Sequence, residues 1–362
     1  MRYNDIRRST RSVKVGNQTV GGMAPIAIQS MTNTDTHDVA ATLAQIRALE
    51  AAGCDIVRLT VPDEGAADTI YALKEAGIGI PLVADIHFDY RVALACAERG
   101  VDKIRINPGN IGGEERVQAV VTACRSRGIP IRIGVNGGSL EKHILAKYGA
   151  PTADALVESA LYHVRMLEKF DFYDTVISIK ASDVTTMIAA NRQLAQRCEY
   201  PLHLGVTEAG GAEMGSIKSA IGIGALLVDG IGDTLRVSLT ADPVEEIGAA
   251  RRILSALCIE GQAGLNIVSC PTCGRTRIDL IALAAAFEDA ARKEGLMDLP
   301  LRVALMGCVV NGPGEAREAD IGICGGDGEA LLIAKGEILC KIPESQVIPT
   351  LIDELKKRKQ GL

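Results

Sequence analysis

The stretch IRIGVN, residues 131–136, decides the fold. Its side chains alternate. Ile131, Ile133 and Val135 fall on one face of an extended chain, and Arg132 and Asn136 on the other. Strands of a parallel sheet are normally apolar on both faces. A strand with one greasy face and one charged face needs a place to put the charge.

Working outward, the pattern recurs. In DIVRLTV (55–61) Val57, Leu59 and Val61 oppose Arg58 and Thr60. In PLVADIH (81–87) Ala84 and Ile86 oppose Asp85 and His87, and in KIRINPG (103–109) Ile104 and Ile106 oppose Arg105 and Asn107. VISIKAS (176–182) sets Ser178 and Lys180 against Ile177 and Ile179. LHLGVT (202–207) sets His203 and Thr207 against Leu202, Leu204 and Val206, and TLRVSLT (234–240) sets Arg236 and Ser238 against Leu235, Val237 and Leu239. IAIQSM (26–31) completes eight strand candidates. Helical segments rich in Ala, Leu and Glu lie between them, such as 37–53 and 65–77, several ending in Gly. This rhythm implies an α/β fold, a (β/α)8 TIM barrel, over residues 1–256. An open doubly wound sheet is the competing architecture. Its dinucleotide fingerprint is incomplete: IGIGALL (221–227) has Leu227 where the third glycine should fall. SVKVGNQTV (12–20) reads as a hairpin about Gly16-Asn17.

The apolar faces must pack on helices, so the polar faces point into the barrel. Arg58, Arg105, Arg132, Lys180 and Arg236 then converge on one lumen. Cations there cost several kcal/mol each in lost hydration unless matched. The acids that can be placed nearby, Asp85 and Glu208, are too few. A polyanionic ligand supplies the rest, and arginine suits phosphate because its planar fork binds two oxygens. An internal salt-bridge network is the bland reading of the same residues.

Residues 257–362 read as a small α+β domain. A helix is expected within 278–295, a strand at 301–307, a turn at NGPG (311–314), short strands over 319–339 and a closing helix over 347–359. SCPTCGR (269–275) and GCVVNGPGEA (307–316) bring together Cys270, Cys273 and Cys308. Three clustered thiols admit zinc, a redox dithiol or an iron–sulfur cluster. A local Cys3His zinc site is excluded, because the last histidine is His203. An all-cysteine zinc site would have to recruit Cys258, Cys324 or Cys340, each within an apolar segment. A cluster with three thiolates could take an oxygen donor as its fourth ligand, and Glu315 is well placed for that.

Composition sets limits on function. The 362 residues are 47% hydrophobic, carry a net charge of −6 and include no Trp, with aromatics at only 3%, which argues against a nucleic-acid binder. Ten cysteines mostly isolated in apolar runs suggest a reduced, intracellular protein. No run approaches the roughly 20 apolar residues of a membrane span. The basic N-terminus is followed by no apolar stretch, so a cytoplasmic location is expected.

SCPTCGR, MGCVVNGPGEAREADIGICGG (306–326), RINPGNIG (105–112), IRIGVNGGSLE (131–141), ISIKASDV (177–184), LGVTEAG (204–210) and GDTLRVSLTADP (232–243) together resemble the bacterial 4-hydroxy-3-methylbut-2-enyl diphosphate synthase family. The resemblance runs over essentially the whole chain, with no departure at the motif positions. It implies a TIM barrel followed by a 4Fe-4S domain in the two-domain bacterial form. It implies reductive ring opening and dehydroxylation of 2-C-methyl-D-erythritol 2,4-cyclodiphosphate in non-mevalonate isoprenoid synthesis. It implies cluster ligands Cys270, Cys273, Cys308 and Glu315, leaving Cys258, Cys324 and Cys340 as structural thiols. Diphosphate binding falls on Arg58, Arg105, Arg132, Lys180 and Arg236, the five cations reached by strand parity. Polar neighbours are His87, Asn107, Asn136, Thr207 and Ser238, and Glu208 is the implied acid. Flavodoxin or a ferredoxin is the implied electron donor, and the implied assembly is a homodimer in which the cluster domain of one subunit caps the barrel of the other. Three other readings fit parts of the pattern, one of them a cluster enzyme with the same anion site acting on another diphosphate. A zinc-dependent barrel hydrolase of a phosphorylated substrate keeps the lumen but not the cluster. A non-enzymatic cluster sensor leaves the inward cations unexplained.

Overall fold

A computed structural model describes residues 3–107, 109–259 and 264–360. They divide into two compact units, Met1–Ile253 and Leu254–Leu362.

The first unit opens with the hairpin β1 (Val13–Val15) and β2 (Gln18–Val20). Eight parallel strands follow: β3 (Ala27–Met31), β4 (Ile56–Thr60), β5 (Leu82–Asp85), β6 (Lys103–Ile106), β7 (Ile131–Asn136), β8 (Thr175–Lys180), β9 (His203–Leu204) and β10 (Thr234–Leu235). Their order is β8-β7-β6-β5-β4-β3-β10-β9, and a parallel bridge from Ile177 to Leu202 joins the two ends into a barrel. The open-sheet alternative is therefore set aside, and IGIGALL lies inside the helix Ala212–Val228 rather than at a strand end.

The apolar face of each strand packs outward on the helices. Val57, Leu59, Ile104, Ile106, Ile131, Ile133, Ile177 and Ile179 are all fully buried there. Each such side chain contributes roughly 1.5–3 kcal/mol of transfer free energy. Asp38, Asp63, Asp89 and Asp183 cap four of the barrel helices by accepting a backbone N–H, which starts each helix just after its strand loop. Val13, Val15 and Val20 of the hairpin pack with Ala27, Ile56, Val83 and Val176, so the N-terminal end of the barrel is plugged with hydrocarbon. β9 and β10 contain only two residues each, shorter than their sequence patterns suggest. Beyond them single bonds continue the ladder, such as Arg236 N–H to Leu204 O at 2.9 Å and Thr207 N–H to Ala181 O at 3.2 Å.

The second unit is a five-stranded mixed sheet, β11 (Asn266–Ser269), β12 (Arg302–Met306), β13 (Ile321–Gly325), β14 (Glu329–Ala334) and β15 (Glu337–Pro343), in that order. β11, β12 and β13 are parallel, while β14 and β15 are antiparallel additions. The helices Leu280–Lys293 and Val347–Gln360 cover one face through Leu280, Phe287, Ala291, Leu351 and Leu355. Three details depart from the sequence expectations. β11 lies just before the first cysteine motif, where no strand was expected. NGPG is not an open turn: Gly312–Glu315 form one turn of helix, because Pro313 at its start has φ pre-set for a helix and needs no N–H partner. Cys258 and Cys340 are exposed, whereas Cys324 is buried.

Candidate functional site

The lumen is built by strand alternation. Nine of the ten expected binding residues line one cavity of about 130 Å³: Arg58, His87, Arg105, Arg132, Asn136, Lys180, Thr207, Arg236 and Ser238. Asp85, Gly134 and Ser178 complete its wall. Asn107 is buried but turned into the loops, its Nδ2 donating to Ser139 O at 3.4 Å and its Oδ1 accepting from Gly109 N–H at 3.1 Å.

Two carboxylates partly balance the cations. Asp85 receives Arg105 Nη1 at 2.9 Å and has Arg58 Nε at 3.6 Å. Burial works to raise the Asp85 carboxyl, yet Arg58 and Arg105 outweigh it and hold the group at about 2. The second acid is Glu246, from the helix Pro243–Ala256. It accepts Arg236 through both oxygens at 3.1 and 3.0 Å and takes the Ser30 hydroxyl at 2.7 Å. Sequence reading missed it, since it lies on a helix rather than a strand face. Met31 Sδ fills the gap between cations, accepting from Arg58 Nη2 at 2.8 Å and Arg236 Nη1 at 3.3 Å.

The charge does not balance. Among the described residues, six basic side chains face inward, the five expected and Lys103, against the acids Asp85 and Glu246. Burial pulls Arg58 down to about 10. Burial, reinforced by neighbouring arginines, holds Arg132 and Lys180 well below their ordinary values. Such a lumen is arranged for an anion before the anion arrives.

Glycine makes the crowding possible. A Cβ on Gly134 would stand 2.3 Å from Arg105 Nε, and one on Gly205 2.9 Å from Lys180 Nζ. The strand backbone at these points is the floor across which the neighbouring cation lies.

Beside the lumen mouth a wider cavity of about 780 Å³ is lined by Asn136, Thr152, Asp183, Thr207 and Glu208, among others. Glu208 sits at φ +53°, a left-handed backbone conformation uncommon for a residue with a side chain.

In the second unit, β11 and β12 run parallel, so the loops that follow them emerge at one end. Those loops carry Cys270, Cys273 and Cys308, and the short helix carries Glu315. All four line one cavity of about 360 Å³. Gly307 N–H donates to Cys270 Sγ at 3.3 Å. The backbone and side chain of Arg275 lower the Cys273 thiol, and backbone N–H groups of Asn311 and Val310 lower that of Cys308. Thr272, inside the Cys-x-x-Cys turn, sits at φ +53°. Beneath the site, Cys324 is different: burial pushes its thiol up to about 12. It packs under the helical turn, where a Cβ on Gly312 would meet its Sγ at 2.6 Å. Among the described residues, no three His, Cys, Asp or Glu side chains are gathered tightly enough to hold a single metal ion.

Comparison with known proteins supplies the family. The profile of the GcpE TIM-barrel domain matches residues 10–251, and that of the GcpE protein C-terminal domain matches 266–357. The chain belongs to the GcpE family. It is 57% identical over 351 residues to a Bacillus cereus protein named 4-hydroxy-3-methylbut-2-en-1-yl diphosphate synthase (flavodoxin), covering 97% of this chain and 92% of that one. A Caldanaerobacter subterraneus protein of the same name is 58% identical, covering 97% and 98%. The zinc-hydrolase alternative finds no support in these GcpE relatives. Among solved structures, Yersinia pestis dihydropteroate synthase matches with a TM-score of 0.50 at 12% identity, covering 68% of this chain and 99% of that one, a likeness of fold alone.

Proposed function

We propose that this GcpE-family enzyme opens the ring of 2-C-methyl-D-erythritol 2,4-cyclodiphosphate reductively and removes a hydroxyl, giving (E)-4-hydroxy-3-methylbut-2-enyl diphosphate. The observation that carries this is the unbalanced cation lumen, on the same chain as a cavity walled by three thiols and a carboxylate. Family membership and the names of the relatives support it.

The barrel unit, expected over residues 1–256, is assigned to substrate and the remainder to the redox group. Arg58, Arg105, Arg132, Lys180 and Arg236 hold the diphosphate and stabilise the charge that grows as the ring opens. His87, Asn136, Thr207 and Ser238 supply hydrogen bonds at the strand ends, and Asn107 supports the loop beside them. Glu208 donates the proton that lets the hydroxyl leave as water.

Cys270, Cys273, Cys308 and Glu315 would hold a 4Fe-4S cluster. The residues fit that group: donors spread around a cavity suit a polynuclear centre, and two of the thiols are already eased toward thiolate by N–H groups. When bound, the cluster supplies electrons one at a time and a Lewis-acidic iron. Glu315 would be the one oxygen donor among the sulfurs, a weaker ligand than a thiolate. Flavodoxin, named in the relatives, or a ferredoxin delivers the electrons. The working assembly is a homodimer in the cytoplasm. Among the described residues no helix is long and apolar enough to cross a membrane.

The deciding experiment measures iron, acid-labile sulfide and zinc in anaerobically purified wild type beside Glu315→Ala. About four iron and four sulfide per chain, with a labile or spectrally altered cluster in the variant, is the expected result. Stoichiometric zinc without sulfide would refute the cluster.

A further inference from the structure

The barrel floor holds buried polar atoms without hydrogen-bond partners. Lys103 is fully buried on β6, and its Nζ has no partner. His203 is fully buried on β9, and neither ring nitrogen has a partner. Gln29 on β3 leaves both amide atoms unpaired, and Arg132 on β7 leaves Nε and Nη2 unpaired. Lys103 is two residues below Arg105 on the same inward face, about 7 Å along the strand. It does not line the diphosphate cavity, so it lies beneath the anion rather than against it.

The charged and titratable groups around this floor are Arg58, Asp85, Arg105, Arg132, Lys180, His203 and Arg236. Both acids, Asp85 and Glu246, are spent on Arg58, Arg105 and Arg236. Among the described residues, no acid pairs with Lys103. A buried ammonium with no counter-ion, facing arginines, gives up its proton. Burial, then Arg132 and Arg58, accordingly drive the Lys103 amine far below its ordinary value, and burial with Arg132, Lys180 and Lys103 does the same to His203.

The proposed reaction changes the charge above this floor. The cyclic substrate carries one ionised oxygen on each phosphate and is a dianion. Ring opening breaks a carbon–oxygen bond and leaves the oxygen, with its electron pair, on phosphorus. The hydroxyl also leaves with its electron pair and takes one proton to become water. Two electrons from the donor complete the carbon–carbon double bond. One proton and two electrons enter, so a dianion becomes a trianion plus water, and the lumen gains a full negative charge.

We propose that Lys103 is the proton acceptor that matches this charge: its amine is un-ionised beneath the cyclic dianion and becomes ammonium beneath the open-chain trianion. Lys180 lines the cavity assigned to the diphosphate that both ligands share, so it ionises with either. Lys103, one layer lower, responds to the additional charge. Lys103 is thus a positioning residue for charge, without contact to the reacting atoms. The inference rests on the substrate assignment above.

The test is calorimetry on oxidised, cluster-loaded protein without reductant, at about pH 8, in buffers of different ionisation enthalpy. The cyclic diphosphate and the open-chain diphosphate are titrated separately. The open-chain ligand is expected to take up about one proton more than the cyclic one. Lys103→Met should abolish that extra uptake and weaken the open-chain ligand about tenfold relative to the cyclic one. Lys103→Arg, permanently charged, should abolish the uptake while keeping the affinity. Equal uptake for both ligands in the wild type overturns the proposal, whatever the variants do. Extra uptake that survives in Lys103→Met also overturns it and assigns the proton to Lys180 or His203. If neither ligand binds, the substrate assignment falls and this proposal falls with it, a result distinct from equal uptake by two bound ligands.

Discussion

The barrel lumen and the thiol cavity solve opposite problems. The lumen gathers charges that repel one another and removes them from water; its binding groups sit mostly on rigid strands, locked by an outer face of isoleucine, leucine and valine. The thiol cavity gathers sulfur on loops and one short helical turn, and keeps it accessible: Cys273 is exposed and Cys270 and Cys308 are half-buried. In the lumen, burial works against the charged form of Arg58, Arg132, Lys103 and Lys180. In the thiol cavity, backbone N–H groups favour the charged form of Cys273 and Cys308. A site for a charged substrate can store electrostatic tension that the ligand relieves. A site for a redox group needs its donors eased toward ionisation before the group arrives.

That contrast can be broken or sharpened by substitution. The largest effect is expected at the barrel mouth. Glu208→Gln should lower turnover by roughly 10²–10⁴-fold while iron and sulfide content stay at wild-type levels. A variant with full activity would remove Glu208 from proton transfer, and one that lost iron would erase the separation between the two regions. Next comes Arg132→Met, which should weaken binding of the cyclic diphosphate about a hundredfold, read by calorimetry, again with the cluster intact. Undiminished affinity would mean that the cation layer is structural.

A smaller effect concerns acid. Asp85 is held at about 2 in the folded chain against an ordinary 3.8. A depressed carboxylate stabilises the fold above its unfolded value, and that contribution is lost as pH falls through 3.8 toward 2. It amounts to about 2 kcal/mol. Asp85→Asn should therefore flatten the stability-versus-pH curve in that window, measured by denaturant unfolding. An unchanged slope would remove Asp85 as the counter-charge. The smallest effect is expected in the second unit, where Cys340→Ser should change stability by no more than about 0.5 kcal/mol, because Cys340 is exposed. A larger loss would show that an exposed thiol has a structural task after all.

Much of this was legible in the chain itself. Alternation with a period of two needs only local stereochemistry, so Arg58, Arg105, Arg132, Lys180 and Arg236 could be turned inward from the sequence. The βα rhythm was enough to identify the barrel, and the spacing of Cys270, Cys273 and Cys308 marked the sulfur site. Other features were not legible. NGPG looked like a turn because two glycines surround Pro313, yet the proline starts a helix. Cys340 looked like a core thiol from its apolar neighbours, but it lies on β15, an edge strand whose residues are largely exposed.

The sequence by itself therefore determined which strand faces carry the inward cations, most of the strands and helices, and where the thiols cluster. These follow from torsional periodicity and from spacing along the chain. Only the tertiary structure decided how the inward charges are matched. Closure of the barrel brought Glu246 from a helix to Arg236, gave Asp85 to two arginines at once, and left Lys103 and His203 without partners. It also laid Arg105 across Gly134 and Lys180 across Gly205, where a Cβ would collide with them. Pairing of charges depends on strand stagger and on distances across the lumen, and residues far apart in the chain acquire those distances only when the sheet closes.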